Sequence, residues 1–379
     1  MKKILILSLA YYPRHVSGAE AAIKEITDRI SDIEFHLITL RFESSDKKEE
    51  RVGNVFVHRV GGGSYVGKIF FPLLAALKAR SLHGMHHFDA LWAMMTYMLL
   101  PTILAKNLGV HVPHILTLQD GDPYEKVFGR LRILPFLPLI NWGFRTATVI
   151  QAISSYLAEW SRRRGSKAPV VLIHNGANPR DLADTVDLTK VEEVKKKFNK
   201  KQGDIWLVNT ARLEYQKAND MVIRALAMLP AHIKFLLVGE GSEEQMLKDL
   251  AKELELQDRV LFVGYVDRSE VTFYRKAADI FVGPSRSEGL GNAFLSAMAS
   301  RLPVIATAEG GLADFMVDRQ TGWVVKKDNP EEIARAVEDI LAQPEKVKEI
   351  TERARHLVEK EYNWDIVAEQ MRNQIFAKV

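Results

Sequence analysis

Along the chain, short runs of β-branched and other apolar residues alternate with stretches in which apolar positions recur every three or four residues. In the first half the apolar runs fall at 3–9, 35–40, 54–60, 89–94, 114–118, 148–153 and 170–175. In the second half they fall at 205–211, 234–239, 260–264, 279–284, 303–308 and 322–325. Helical patterns lie between most of them, for example at 219–229 and 243–254. Such strand–helix alternation predicts parallel sheets covered on both faces. Thirteen strands exceed one ordinary open sheet, so the expectation is an α/β protein of two doubly wound, Rossmann-like domains.

The break between domains is expected just after the turn-rich stretch His174-Asn175-Gly176-Ala177-Asn178-Pro179, giving domains of 1–178 and 179–361. The charged segment 191–202 reads as a solvated helix opening the second domain. The apolar run near the N-terminus is short for a signal peptide and reads as a first buried strand. Residues 90–105 carry no charge but fall short of the roughly 20 needed to span a bilayer, so one buried helix of the first domain is expected there. The segment 128–145 mixes apolar and aromatic residues with Arg130, Arg132 and Arg145 near its ends. Two readings stay open for it: a face resting on a membrane interface, or a helix pair in the core with snorkelling arginines.

Composition narrows the partners. The 379 residues are 47% hydrophobic and 26% charged, as in a soluble globular protein. There is no cysteine, which excludes disulfides, thiolate metal sites and a cysteine nucleophile, and fits a reducing compartment. The net charge of +4 divides unevenly, with +9 on residues 1–180 and −5 on the remainder. A basic first half suits an anionic partner, a phospholipid surface or a diphosphate-linked substrate. No nucleic-acid-reading motif is present.

Candidate chemistry lies just after the strands, where ligands of doubly wound domains bind. The run Pro284 to Asn292 ends a strand in a carboxylate, Glu288, then a Gly-x-Gly turn (Gly289, Leu290, Gly291), then a helix beginning near Asn292. That order aims a helix N-terminus and free backbone amides at one point, as a phosphate requires. Glu288 beside a phosphate site needs another task, and binding sugar hydroxyls is the obvious one. After 205–211 come Arg212 and Lys217, two cations on one loop, able to clamp a diphosphate or to serve as ordinary surface charges. Gly239, Glu240 and Gly241, and the turn at Tyr265, offer backbone groups for a flat base. In the first domain, the 12–20 loop around Gly18 is not a G-x-G-x-x-G, which counts against a dinucleotide oxidoreductase. Gln119-Asp120-Gly121-Asp122 contains a D-x-D: a cation site, a turn, or a pair of hydroxyl-binding carboxylates. Asp120 is a candidate base toward an acceptor. His83, His86 and His87 tempt as a metal cluster but read as loop residues, and no metal site is expected.

Taken in order, 17–20, 152–160, 171–178, 211–217, 236–247, 260–266, 285–299, 310–316 and 361–371 resemble the motifs of family-4 retaining glycosyltransferases of the GT-B fold. The resemblance implies two Rossmann-like domains facing a central cleft, the first binding the acceptor and the second a nucleotide-diphosphate sugar such as UDP-glucose or GDP-mannose. It implies that Arg212 and Lys217 neutralise the donor diphosphate and that Glu288, the first Glu of E-x7-E, binds the transferred sugar. The amides from Gly289 to Asn292 would hold sugar or phosphate, with no cofactor and no metal. Ser296 stands where the second Glu, which takes the ribose hydroxyls, is usual. Ala218 replaces a usual Gly, Asp314 a frequent Glu, and Gln119-Asp120 a first-domain His near the sugar. The closing segment, about 362–379, would return onto the first domain and belong to the hinge.

The activity so implied is transfer of a hexose, with retention and without metal, to a glycan or lipid-linked acceptor of cell-envelope polysaccharide or glycolipid synthesis. It would take place in the cytoplasm, with the basic first domain on the inner membrane face. Alternatives are a catalytically impaired nucleotide-sugar-binding protein, which Ser296 suggests, a metal-dependent transferase using Asp120 and Asp122, and a sugar-nucleotide epimerase or hydrolase.

Overall fold

In the computed structural model, which describes residues 1–13, 16–183 and 185–379, the chain divides into two units. The first comprises Met1–Asn175 with Trp364–Val379, the second Gly176–Asn363.

The first unit holds β1 (Lys2–Leu7), β2 (Ile33–Leu40), β3 (Glu49–Val52), β4 (Val55–Val60), β5 (Ala90–Met94), β6 (His114–Leu118), β7 (Val149–Ala152) and β8 (Val170–Leu172). They form one sheet in the order β3-β4-β2-β1-β5-β6-β7-β8, parallel except for the β3–β4 hairpin. The second unit holds β9 (Ile205–Thr210), β10 (Ile233–Val238), β11 (Val260–Gly264), β12 (Ile280–Gly283), β13 (Val304–Ala306) and β14 (Trp323–Val324). Their order is β11-β10-β9-β12-β13-β14, all parallel. Both are doubly wound α/β sheets. The strand order reverses between β1 and β5 in one and between β9 and β12 in the other, and ligands of such sheets sit at the carboxyl ends beside that switch point.

The central strands are continuous apolar runs because helices cover both of their faces. In the first unit β1, β2 and β5 bury Ile4, Ile6, Phe35, Leu37 and Trp92. The closing residues complete this core. Trp364–Gln370 is α-helical, Met371–Ile375 a π-turn and Phe376–Lys378 a 3₁₀ turn. Val367, Met371 and Ile375 are buried in it, and the Phe376 ring meets those of Phe35 and Trp92 edge-on at 5.7 and 5.1 Å. In the second unit Leu207, Phe235, Val282 and Ile305 form the middle of the core, against helices Asn219–Leu226, Glu244–Glu253 and Pro330–Ala342.

Three expectations need correction. There are fourteen strands among the described residues, because β3 (EERV) is an edge strand whose charges hide it from an apolar search and guard the edge from pairing with another chain. Residues 90–105 are not one helix. β5 ends at Met94, Met95 takes φ +74°, and a 3₁₀ turn at Thr96–Met98 leads into helix Leu99–Asn107. A charge-free run has no period by which a buried strand and a buried helix can be told apart. His83 and His86 are not in a loop but in the last turn of helix Tyr65–His86, which His87 caps at φ +52°.

The segment 128–145 becomes a 3₁₀ turn at Leu134–Phe136 and helix Leu137–Thr146. That helix buries Ile140, Gly143 and Phe144 and leaves Trp142 exposed, as are Leu131, Leu134 and Phe136 before it. The charged helix at 191–202 forms as Leu188–Lys197, capped by the Asp187 carboxylate and burying only Val191 and Val194. Among the described residues no helix is long and apolar enough to cross a membrane.

Candidate functional site

The second unit's switch point gathers two loops. The loop after β9 carries Arg212, the 3₁₀ turn Tyr215–Lys217 and Ala218, the last in left-handed conformation at φ +52°. The loop after β12 carries Ser285 to Gly291 and feeds helix Asn292–Ala299. They meet at one ion pair, Lys217 Nζ to Glu288 Oε1 at 2.6 Å. The Ser285 hydroxyl donates to the same oxygen at 3.0 Å. Glu288 is only 7% exposed, so the pair sits in a low-dielectric recess. Arg212 is exposed and has no ion-pair partner among the described residues.

Beyond Glu288 the chain turns tightly. Gly289, Leu290 and Gly291 are buried, yet their amides donate no hydrogen bond within the described residues. Buried amides without partners are rare and mark a place for an acceptor from outside. Gly291, at φ +101°, opens the helix, with Asn292 as its first residue. A second turn lies against the first. Gly310 takes φ +63°, and a Cβ there would stand 2.1 Å from the Glu288 carbonyl oxygen, which instead accepts the Gly311 amide at 3.0 Å. Only glycine fits both the backbone angle and the space.

The loop after β10 lies beside Arg212. The Gly239 amide donates to the Gly264 carbonyl, and the Glu240 carbonyl accepts the Leu213 amide at 2.9 Å. Gly241 leaves no room for a side chain, since its Cβ would meet the Leu213 carbonyl at 2.1 Å. The Glu240 carboxylate accepts the amide of Tyr265, whose ring is exposed. Ser296 lies farther along helix Asn292–Ala299, 5% exposed, where its hydroxyl accepts the Asn178 amide at 3.1 Å.

The structure adds a residue the sequence did not flag. Arg286, two positions before Glu288, forks onto Asp220 with both Nη atoms at 3.0 and 2.8 Å and donates Nε to Asp328 at 2.6 Å. It also donates to the Tyr215 carbonyl at 2.7 Å and lies over the Tyr215 ring, 4.2 Å from its centroid. Its backbone amide reaches the Gln216 carbonyl at 2.7 Å. Arg286 thus fastens the loop of Lys217 to the loop of Glu288. Its partners lie elsewhere in the chain, Asp220 on helix Asn219–Leu226 and Asp328 on a later loop, so no local motif announces it.

In the first unit, Asp120 follows β6 and is 2% exposed. It accepts the hydroxyl of Thr96 at 2.9 Å and its amide at 3.3 Å. Burial pushes its pKa up to about 6, against the lowering effect of those bonds. Asp122 turns elsewhere, to Arg130 at 2.6 Å and Lys126 at 2.9 Å, so the two carboxylates of the D-x-D have separate partners. The amide of Gln119 is buried with neither its oxygen nor its nitrogen paired among the described residues. Gly18 begins helix Gly18–Thr27, where the Ser17 amide donates to the Glu20 carboxylate at 2.7 Å. Part of the 12–20 loop, Arg14 and His15, lies outside the described residues.

Residues 16–181 match the model of glycosyltransferase family 4, and residues 190–357 that of group 1 glycosyl transferases. An uncharacterized glycosyltransferase of Methanocaldococcus jannaschii is 30% identical over 384 residues, covering 98% of this chain and 97% of that protein. A GDP-mannose-dependent alpha-(1-6)-phosphatidylinositol monomannoside mannosyltransferase of Mycolicibacterium smegmatis is 31% identical over 168 residues, 42% of this chain and 44% of that one. Among solved structures, HepE of Anabaena in complex with UDP and glucose superposes with a TM-score of 0.81 at 19% identity over the full length of both chains. With its two doubly wound units and matches along nearly its whole length, this chain belongs to the glycosyltransferases, of the family-4 type and the GT-B fold.

Proposed function

We propose that this glycosyltransferase is a retaining, metal-independent hexosyltransferase that binds a nucleotide-diphosphate sugar on its second unit. One observation carries the reading: the Lys217–Glu288 pair at the switch point, with Arg212 nearby free of any ion pair among the described residues and, in the following turn of buried residues, three amides that have no partner among them. Arg212 and Lys217 would meet the diphosphate, and Glu288 and the amides of Gly289 to Asn292 the sugar and its phosphate. Gly239 to Gly241 and Tyr265 would frame the base, and Ser296 would face the ribose. Two cations and a helix N-terminus suffice to stabilise a departing nucleoside diphosphate. In the front-face route, the acceptor hydroxyl oxygen bonds the anomeric carbon as the carbon–phosphate oxygen bond breaks on the same side. A donor phosphate oxygen takes the hydroxyl proton, so no protein nucleophile is needed. On the first unit, Asp120 and the amide of Gln119, unpaired among the described residues, would contact sugar or acceptor, with Gly18 allowing close backbone approach.

The acceptor we propose is a glycan or lipid-linked precursor of envelope polysaccharide or glycolipid, reached at the cytoplasmic membrane face. Support comes from the basic first half and from the exposed apolar stripe Val66, Ile69, Phe70, Leu73 and Leu77 on helix Tyr65–His86. The phosphatidylinositol monomannoside named for the mycobacterial relative is of the same class.

The test pairs binding with turnover. One nucleotide diphosphate from a panel should raise the melting temperature in the presence of chelator, and Lys217→Ala and Glu288→Ala should each remove most transfer while leaving the fold intact. Turnover at the wild-type rate in both variants would sink the assignment. A second reading, a binding protein that has lost turnover, draws on Ser296, whose short hydroxyl already serves the Asn178 amide. It predicts nucleotide binding without transfer to any acceptor.

A further inference from the structure

Three histidines distant in sequence converge near the start of β2. His36 lies on β2, His58 on the neighbouring β4, and His86 in the last turn of helix Tyr65–His86. The His86 ring centroid is 4.4 Å from that of His36. His36 Nε2 faces Glu34 Oε1 at 3.1 Å, His36 Nδ1 faces His58 Nε2 at 3.0 Å, and His58 Nδ1 faces Glu49 Oε1 at 3.2 Å.

With neutral rings, the three contacts of this row share two ring hydrogens. Each of the three contacts needs one positive centre between two lone pairs, either a hydrogen or a metal ion. A neutral imidazole carries one N–H, so two rings supply two hydrogens for three contacts. If His58 donates Nδ1–H to Glu49, and His36 donates Nδ1–H to His58, the unfilled contact is His36 Nε2 to Glu34. One ligand atom each from Glu34, His36 and His86 lie within 4.8 Å of one another at that point. A shared proton has no use for a third ligand atom, whereas a metal ion has. Tetrahedral zinc with bonds of about 2.1 Å sets neighbouring ligand atoms roughly 3.4 Å apart, close to the 3.1 Å between Glu34 and His36.

We propose that Glu34, His36 and His86 form a divalent metal site of the zinc class, with His58 and Glu49 orienting His36 from behind. Two imidazoles and a carboxylate are a borderline-soft donor set, suited to zinc rather than to magnesium or calcium. The histidine–histidine–carboxylate row is the kind of outer-shell support that fixes a ligand's tautomer. Lys3 approaches Glu34 only at 3.5 Å and is partly exposed, so it can yield to the ion. The ion ties the end of helix Tyr65–His86 to β2. It lies toward the amino end of that strand, whereas the proposed donor contacts follow strand carboxyl ends in the other unit. The inference therefore does not depend on the proposed function.

The test uses the 379-residue chain, stripped with chelator, dialysed and titrated with Zn²⁺ in the absence of any nucleotide, with Co²⁺ as a spectroscopic probe. The expected result is one ion bound per chain, a raised melting temperature, and a tetrahedral Co²⁺ absorption band. His86→Ala and Glu34→Gln should each weaken binding by more than the roughly 10- to 100-fold that loss of an outer-shell partner costs, while His111→Ala, in the exposed loop before β6, leaves it unchanged. His86 and Glu34 are only partly buried, so circular dichroism should report native folding in both variants. Substoichiometric binding by the wild type, or wild-type affinity in both variants, would overturn the proposal.

Discussion

Asp120 is a carboxyl whose surroundings favour its proton. Its pKa rises from 3.8 to about 6 through burial. The folded chain therefore holds this proton more tightly than the unfolded one. Its stabilising effect is complete below about pH 4 and is lost as the pH climbs through 6. Asparagine keeps an acceptor for Thr96 without the charge. Asp120→Asn should thus be more stable than wild type at pH 8, by up to about 3 kcal/mol, and no different at pH 4. Denaturant titrations at the two pH values check this, and a gap independent of pH would refute the assignment. If Asp120 receives a proton during transfer, wild-type kcat/KM also falls as the pH drops through about 6.

At the scale of elements, the proposed donor site is one turn resting on another. Gly310→Ala adds a methyl at a left-handed position and 2.1 Å from the Glu288 carbonyl oxygen. The backbone angle alone costs about 1–2 kcal/mol, and relief of the clash must move Glu288. We expect a loss of stability of at least that size together with a drop in transfer greater than stability explains. Full activity in a folded Gly310→Ala protein would show that the turns are not coupled. The strands were legible in the sequence because sheets covered on both faces demand apolar runs. β3 was not, because an edge strand gains from charge, and the run 89–94, which reads as a strand, also reads as part of one helix to 105, because both elements are buried there and share one composition. Lys217 and Glu288 could be singled out from their own loops, and the structure brings them into contact. Arg286 and the Glu34–His36–His86 cluster stayed hidden, since their partners are joined by sheet order and not by spacing along the chain.

For the whole molecule, the placement of the closing segment sets how stability is shared. Trp364, Met371, Ile375 and Phe376 are core residues of the first unit, and Lys2 Nζ donates to the Phe376 carbonyl at 2.8 Å. Truncating a buried aromatic costs about 3–5 kcal/mol. Phe376→Ala should accordingly speed hydrogen exchange in β1, β2 and β5 and leave β9, β10 and β12 as in the wild type. Uniform loosening of both units would contradict this division. The arrangement also has a history in time. Residues 176–363 are continuous and contain the whole of their own core cluster, whereas residues 1–175 lack part of theirs until residues 364–379 have been made. On the ribosome the second unit to be synthesised is then the first able to finish folding, and the earlier one must wait, partly open, for residues 364–379.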